Sequence, residues 1–272
     1  MPCFKITVAY DGTDYVGWQR QANGASIQAL IEDALHAIDG RAVPVAGAGR
    51  TDSGVHALGQ VAAFTIERAL SPDAVVRAIN AHLPEAVRIM SADDVPPSFH
   101  PRFDAIAKTY RYRIWNGEVV SPFEHRYAWH VTGALDVDAM CAAARSIEGQ
   151  HDFAAFQAAG SEVATTTRLV ARSAIFTTED AEDAEGKTFW PARFELRVPG
   201  VLRGGELIVY EVTGTGFLRH MVRTIVGTLV EVGRGRRPVE WMAEVLASRD
   251  RAAAGPTAPA AGLFLVRVDY PE

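Results

Sequence analysis

Only two cysteines, Cys3 and Cys141, occur among the 272 residues, and they fit no C-x-x-C or Cys/His ligand spacing. A disulfide framework and a structural zinc site are therefore not expected, and so few thiols in a chain of this length suit a reducing compartment. Apolar runs are also short. None approaches the roughly 18 residues of a membrane span, and MPCFKITVAY enters strand-like alternation at once, without a basic start or an apolar leader core. The expectation is a cytoplasmic protein with no membrane contact. Lysine is the third scarcity, with three residues against 24 arginines. The arginines admit two readings, a compositional bias or a set of forks for phosphate and base recognition.

The net charge of −6 argues against a nucleic-acid partner until its distribution is considered. Residues 179 to 185, EDAEDAE, hold five of the 33 acidic residues, and without them 28 remain against 27 basic ones. The rest of the chain is nearly neutral. Its hydrophobic share of 48% is ample for a packed core.

Periodicity gives the order of elements. FKITVAY, 4 to 10, alternates as a strand, and SIQALIEDALHAID has Ser26 as N-cap with Ile27, Leu30, Ile31, Ala34, Leu35 and Ile38 at helical spacing. A short run at 42 to 46, a glycine loop, a strand from Gln60, a helix from Ser71 to about His82 and the strand VRIMSADDV complete a β-α-β-β-α-β half. The second half reads as strand from Lys108, helix from Asp136, strands from Arg168 and Glu206, helices from about Leu218 and from Pro238, and a closing strand from Leu263. The expected class is α+β: two tandem split β-α-β domains of the ferredoxin-like or RRM-like kind, 1–104 and 105–272, with mixed, mainly antiparallel sheets. Residues 177 to 205 break the rhythm. They read as an inserted acidic excursion with an extra hairpin strand.

Three clusters carry candidate chemistry. In GAGRTDSGVHALGQ, 47 to 60, Asp52 is surrounded by Gly47, Gly49, Gly54 and Gly59, which let backbone or base approach closely. That frame suits a nucleophile. T-D-S-G is equally a turn whose aspartate caps its own backbone. Arg50 could reach a phosphate or fill the space of a displaced base, while His56 reads either as an RNA contact or as loop packing. In AKTYRYRIWN the strand period puts Tyr110 and Tyr112 on one face and Arg111 and Arg113 on the other, either a stacking platform for bases or a buried tyrosine row. In GFLRHMVRTIVGTLVEVGRGRR, Arg219 and Arg223 lie one turn apart; Arg223, set among apolar residues, needs a carboxylate partner if half-buried, and Asp52 is the candidate. Arg234, Arg236 and Arg237 suit a helix C-terminus or a phosphate.

An aspartic-protease reading of D-S-G fails, because that chemistry needs a second carboxylate motif and this chain has no second D-S-G or D-T-G. None of the eight histidines has metal spacing.

Taken together, YDGTDYVGWQRQ, GAGRTDSGVHALGQ, FHPRFDAIAKTYRYRIWN, GFLRHMVRTIVGTLVEVG and AGPTAPAAGLFLVRVDYP resemble, in order, the blocks of the tRNA pseudouridine synthase A family. The resemblance covers nearly the whole chain. It implies isomerisation of uridine to pseudouridine at positions 38, 39 and 40 of the tRNA anticodon stem-loop, by a homodimer without metal or organic cofactor, and sheets that form a central RNA-binding cleft. It places Asp52 on the catalytic aspartate, Tyr110 on the tyrosine packed against the target base, Arg223 on the basic partner of the aspartate and Arg50 on the arginine that assists base flipping. Pro101, the Gly214-Thr215-Gly216 run and the insert at 177–205 depart from the family pattern. The rival expectation is a non-catalytic RNA-binding protein with the same sheets.

Overall fold

The computed structural model describes residues 1–160, 163–177 and 207–271. The expected acidic excursion therefore lies, from 178 onward, outside the described residues. In chain order the elements are β1 (Cys3–Tyr10), α1 (Ile27–Asp39), β2 (Ala46–Gly47), β3 (His56–Thr65), α2 (Pro72–Asn80), β4 (Val87–Val95) and β5 (Ala107–Trp115). There follow β6 (Trp129–His130), α3 (Val137–Arg145), β7 (Gly149–Asp152), β8 (Thr167–Thr177), β9 (Leu207–Gly214), α4 (Met221–Gly233), α5 (Trp241–Ser248) and β10 (Leu263–Asp269). Contacts divide the chain into two units, Met1–Tyr110 with Phe264–Glu272, and Arg111–Leu263.

In the first unit β1 sits between β3 and β4, antiparallel to both, and strand order runs β4-β1-β3-β10. Alternation in β1 buries Phe4, Ile6, Val8 and Tyr10, the face that reads as apolar in the sequence. The helix α1 starts where expected, since the Ser26 hydroxyl accepts from the Ala29 N–H, and it ends at Gly40 in the left-handed region, φ 76°. Its buried Ile27, Ile31, Ala34 and Leu35 form the apolar stripe. The helix α2, capped by Ser71, buries Val75 and Ile79 and packs beside α1. One strand is longer than its local pattern suggests. β3 starts at His56 rather than Gln60 because β10 runs parallel beside it, with Phe264 opposite His56 and Leu265 opposite Ala57.

In the second unit strand order is β5-β9-β8-β7, with β8 antiparallel to both neighbours and β6 parallel to β5. β6 and β7, short and polar, give no readable period in the sequence. The helix α4 is almost wholly buried, with Met221, Ile225, Val226, Leu229, Val230 and Val232 inside. It begins later than its apolar pattern, because His220 takes the left-handed conformation at φ 64° and breaks the run from Leu218. α3, capped by Asp136, packs on α4, α5 and β8. The two units are α+β with a mixed, mainly antiparallel pairing of strands, the class expected.

Candidate active site

The site residues of the first unit sit on the loop between β2 and β3 and on the strands around it. Every residue of this loop from Ala48 to Thr51, apart from exposed Arg50, has its backbone or side chain tied down. The Ala48 N–H donates to Val61 O at 2.8 Å, Gln60 Nε2 donates to Gly49 O at 3.0 Å and Lys108 Nζ donates to Ala48 O at 2.7 Å. Thr51 accepts the Trp18 N–H on its carbonyl at 3.2 Å and shares a 2.9 Å hydrogen bond with the Tyr10 hydroxyl. Beyond Asp52, the Ser53 hydroxyl and the Gly54 N–H both donate to Tyr15 O, at 3.1 and 3.3 Å. Asp52 is thus half-buried at the edge of a rigid cradle, with its own carbonyl accepting from Val55 N–H at 3.2 Å.

The glycines make the cradle possible by contact rather than by flexibility. A Cβ on Gly12 would lie 2.0 Å from Val55 O, and one on Gly17, at φ 103°, would lie 2.4 Å from Thr51 O. Neither position admits a side chain. The segment 11–18 can therefore lie directly against the loop.

Tyr110 is buried beneath Asp52. Desolvation raises its phenol pKa strongly, and the neighbouring Tyr10 and the Asp52 charge push the same way. Tyr10 is raised to about 12, mainly by burial, against the lowering effect of its hydrogen bonds to Thr51 and Gln60. Both phenols stay protonated and can donate at neutral pH. Lys108 has its pKa lowered to about 8, first by desolvation and then by Arg102. His56 is 1% exposed; its Nδ1 accepts the Gly12 N–H at 3.1 Å and its ring stacks on Phe264 at 4.6 Å. Of its two readings, these contacts fit loop packing.

The second unit holds Arg223 and Arg219. Arg223 is half-buried on α4, its Nε donating to Ala258 O at 2.7 Å while its own carbonyl accepts the Ala258 N–H at 3.1 Å. This reciprocal pair fixes the guanidinium against the segment before β10. Arg219 is exposed, and its carbonyl accepts the Ala158 N–H at 2.9 Å. Tyr112 differs from Tyr110 in being core: it is 0% exposed and donates to Pro259 O at 2.7 Å.

The arginine face of β5 is consumed inside the fold. Arg111 forms a buried 2.6 Å ion pair with Glu211 on β9, and Arg113 pairs with Glu124 at 2.6 Å. Arg234 and Arg236 both pair with Glu231, at 3.3 and 3.2 Å, and Arg237 lies over the Trp241 ring at 4.9 Å. Arg50 and Arg102 remain on the surface of the first unit. The sequence does not single out Tyr10, Trp18 and Lys108, remote in the chain from Asp52, or Gln60, eight residues beyond it, as supports of the loop; the one available signal was the alternation that puts Tyr10 on the buried face of β1. Among the described residues no three His, Cys, Asp or Glu side chains converge as metal ligands, and no described helix is long and apolar enough to cross a membrane.

The family model for tRNA pseudouridine synthase matches residues 6–104 and 143–271. The chain is 44% identical over 270 residues to the tRNA pseudouridine synthase A of Myxococcus xanthus, covering 99% of this chain and 92% of that one. It is 45% identical over 266 residues to that of Solibacter usitatus, covering 98% of each, and 43% identical over 270 residues to that of Pelobacter propionicus, covering 99% of this chain and 100% of that one. With the match spanning the Asp52 loop and α4, the chain belongs to the tRNA pseudouridine synthase family.

Proposed function

We propose that the chain isomerises uridine to pseudouridine at positions 38, 39 and 40 of the tRNA anticodon stem-loop, with Asp52 as nucleophile. Family membership supports the reaction, and the single structural observation that carries the site is the cradle that holds Asp52 over the buried Tyr110. The reaction breaks the N1–C1′ bond, turns the uracil and forms a C5–C1′ bond; the proton on C5 leaves to solvent and N1 takes one up. A base in a stem cannot do this in place. It must be extruded, at a cost of a few kcal/mol, into a pocket with a stacking surface. Tyr110 supplies that surface and keeps its proton, so it can donate to the base but not remove a proton as phenolate. Arg223, whose Nε donates to Ala258 O, serves in this reading as the basic partner of the Asp52 carboxylate. Exposed Arg50 fills the space of the extruded base, and exposed Arg219 contacts the RNA backbone. His56 acts beneath the loop, by holding Gly12. Two copies of the chain form the working enzyme.

The test is tritium release from tRNA labelled at uracil C5, with wild type and Asp52→Asn. Wild type is expected to release label, and the variant to bind tRNA within about twofold of wild type while losing at least about a thousandfold in rate. Binding by wild type without release would make the chain an RNA-binding protein instead.

A further inference from the structure

Lys108 has no part in the chemistry just proposed, yet its amine reaches the loop that carries Asp52. On β5, Lys108 and Tyr110 are two residues apart, so their side chains leave the strand on the same face. The ammonium donates to Ala48 O at 2.7 Å, and it lies 3.4 Å from the point where a Cβ on Gly49 would be. Ala48 is 0% exposed, so its carbonyl needs a partner inside the protein, and the chain runs only four residues from there to Asp52. At the other end of those four residues Thr51 is tied to Tyr10. One strand therefore carries both the phenol beneath Asp52 and the cation that holds the loop down.

We infer that Lys108 is a positioning residue, a clamp between the Asp52 loop and the Tyr110 strand that sets the separation of carboxylate and phenol. The inference rests on the proposed site. Burial is unfavourable for an ammonium, and the lowered pKa records that cost, yet the group is directed inward to a backbone carbonyl rather than outward to solvent. A side chain meant for phosphate contact has no need of that bond. One meant to fix a loop does.

The experiment measures single-turnover tritium release and tRNA Kd at two salt concentrations for wild type, Lys108→Met and Lys108→Arg. The clamp predicts a rate loss of about 10- to 100-fold in Lys108→Met, the scale of a misplaced reacting group, with Kd within about twofold at both salts. Lys108→Arg, which keeps a donor of sufficient reach, is expected to recover most of the rate. If Lys108→Met fails to fold by circular dichroism, Lys108→Gln, uncharged and one bond shorter, takes its place with the same expectation. An unchanged rate overturns the clamp. So does a weakened Kd with a salt slope reduced by about one and a normal rate at saturation, the pattern of a lost phosphate contact. In either case an active wild type leaves the proposed reaction standing, whereas an inactive wild type removes that reaction and not the clamp alone.

Discussion

Replacing the helix glycine at 227 by alanine should destabilise the protein, against the usual rule. In the interior of a helix, Gly→Ala ordinarily stabilises by about 1 kcal/mol. Gly227 sits in the middle of α4 and is buried, but a Cβ there would lie 1.7 Å from Pro256 O and 2.8 Å from the Pro256 carbonyl carbon. Backbone must give way. Retreat of residues 255–258 would break the Gly255 N–H to Thr228 Oγ1 bond (3.0 Å), the Ala258 N–H to Arg223 O bond (3.1 Å) and the Arg223 Nε to Ala258 O bond (2.7 Å). At about 1 kcal/mol for each neutral bond and about 2 for the charged one, the loss is about 4 kcal/mol. The helix gain offsets about 1, leaving a net loss of about 3 kcal/mol. Urea denaturation of wild type and Gly227→Ala measures it directly, and a melting temperature lower by about 6 to 12 °C should accompany it. Because the same movement frees the Arg223 side chain from Ala258, tritium release should fall even at temperatures where the variant is fully folded. A variant as stable as wild type, or more so, would refute the packing of this segment on α4.

Two further outcomes follow from titration. The folded pKa of Lys108 is about 8 against an ordinary 10.5, so between these values the unfolded chain binds more protons than the folded one. The unfolding free energy of wild type relative to Lys108→Met should therefore rise with pH across that window, by about 1.4 kcal/mol per pH unit, and be level below it. Urea midpoints of both proteins between about pH 7 and pH 10 check this, and a difference that stays flat would place Lys108 in solvent. Tyr110, its phenol pushed far up by burial, is neutral throughout the range in which tRNA is intact, so Tyr110→Phe should lower the rate by about tenfold or more without changing the shape of the pH–rate profile between about pH 6 and pH 9. A basic limb present in wild type and missing in the variant would assign that limb to Tyr110 and contradict the raised pKa.

How far the sequence speaks for this fold depends on whether a feature is local. Ser26 and the Ile27–Ile31–Leu35 spacing announce α1, and in the fold it is capped at that serine with those residues buried. The alternation of FKITVAY likewise gives the buried face of β1. A strand's period, however, says nothing about its partner. LFLVRVDY reads as the last strand of the second half, and only the fold shows it returning to lie parallel beside β3, where it lengthens β3 to His56 and brings Phe264 against the histidine ring. Charge has the same limit: the spacing of Arg111 and Arg113 puts them on one face, while the Glu211 and Glu124 that neutralise them come from elsewhere in the chain.

The Asp52 loop shows why a local reading of the site stops at a tie. T-D-S-G is a turn sequence, and nothing within it distinguishes a capping aspartate from a reactive one. The proposed reactive role draws on support from outside the loop. Tyr10, Tyr15 and Trp18 hold it from one side of the sequence, Gln60 and Lys108 from the other, and the last of these is 60 residues from the carbonyl it binds. A surface turn does not require hydrogen-bonding partners from five positions. A carboxylate that must meet an extruded base at a fixed place does, because orientation of the reacting groups is lost with small displacements and costs about a hundredfold in rate for roughly 1 Å. The glycines contribute by contact: they let residues 11–18 lie against the loop with no side chain between, so that these supports reach it at hydrogen-bonding distance.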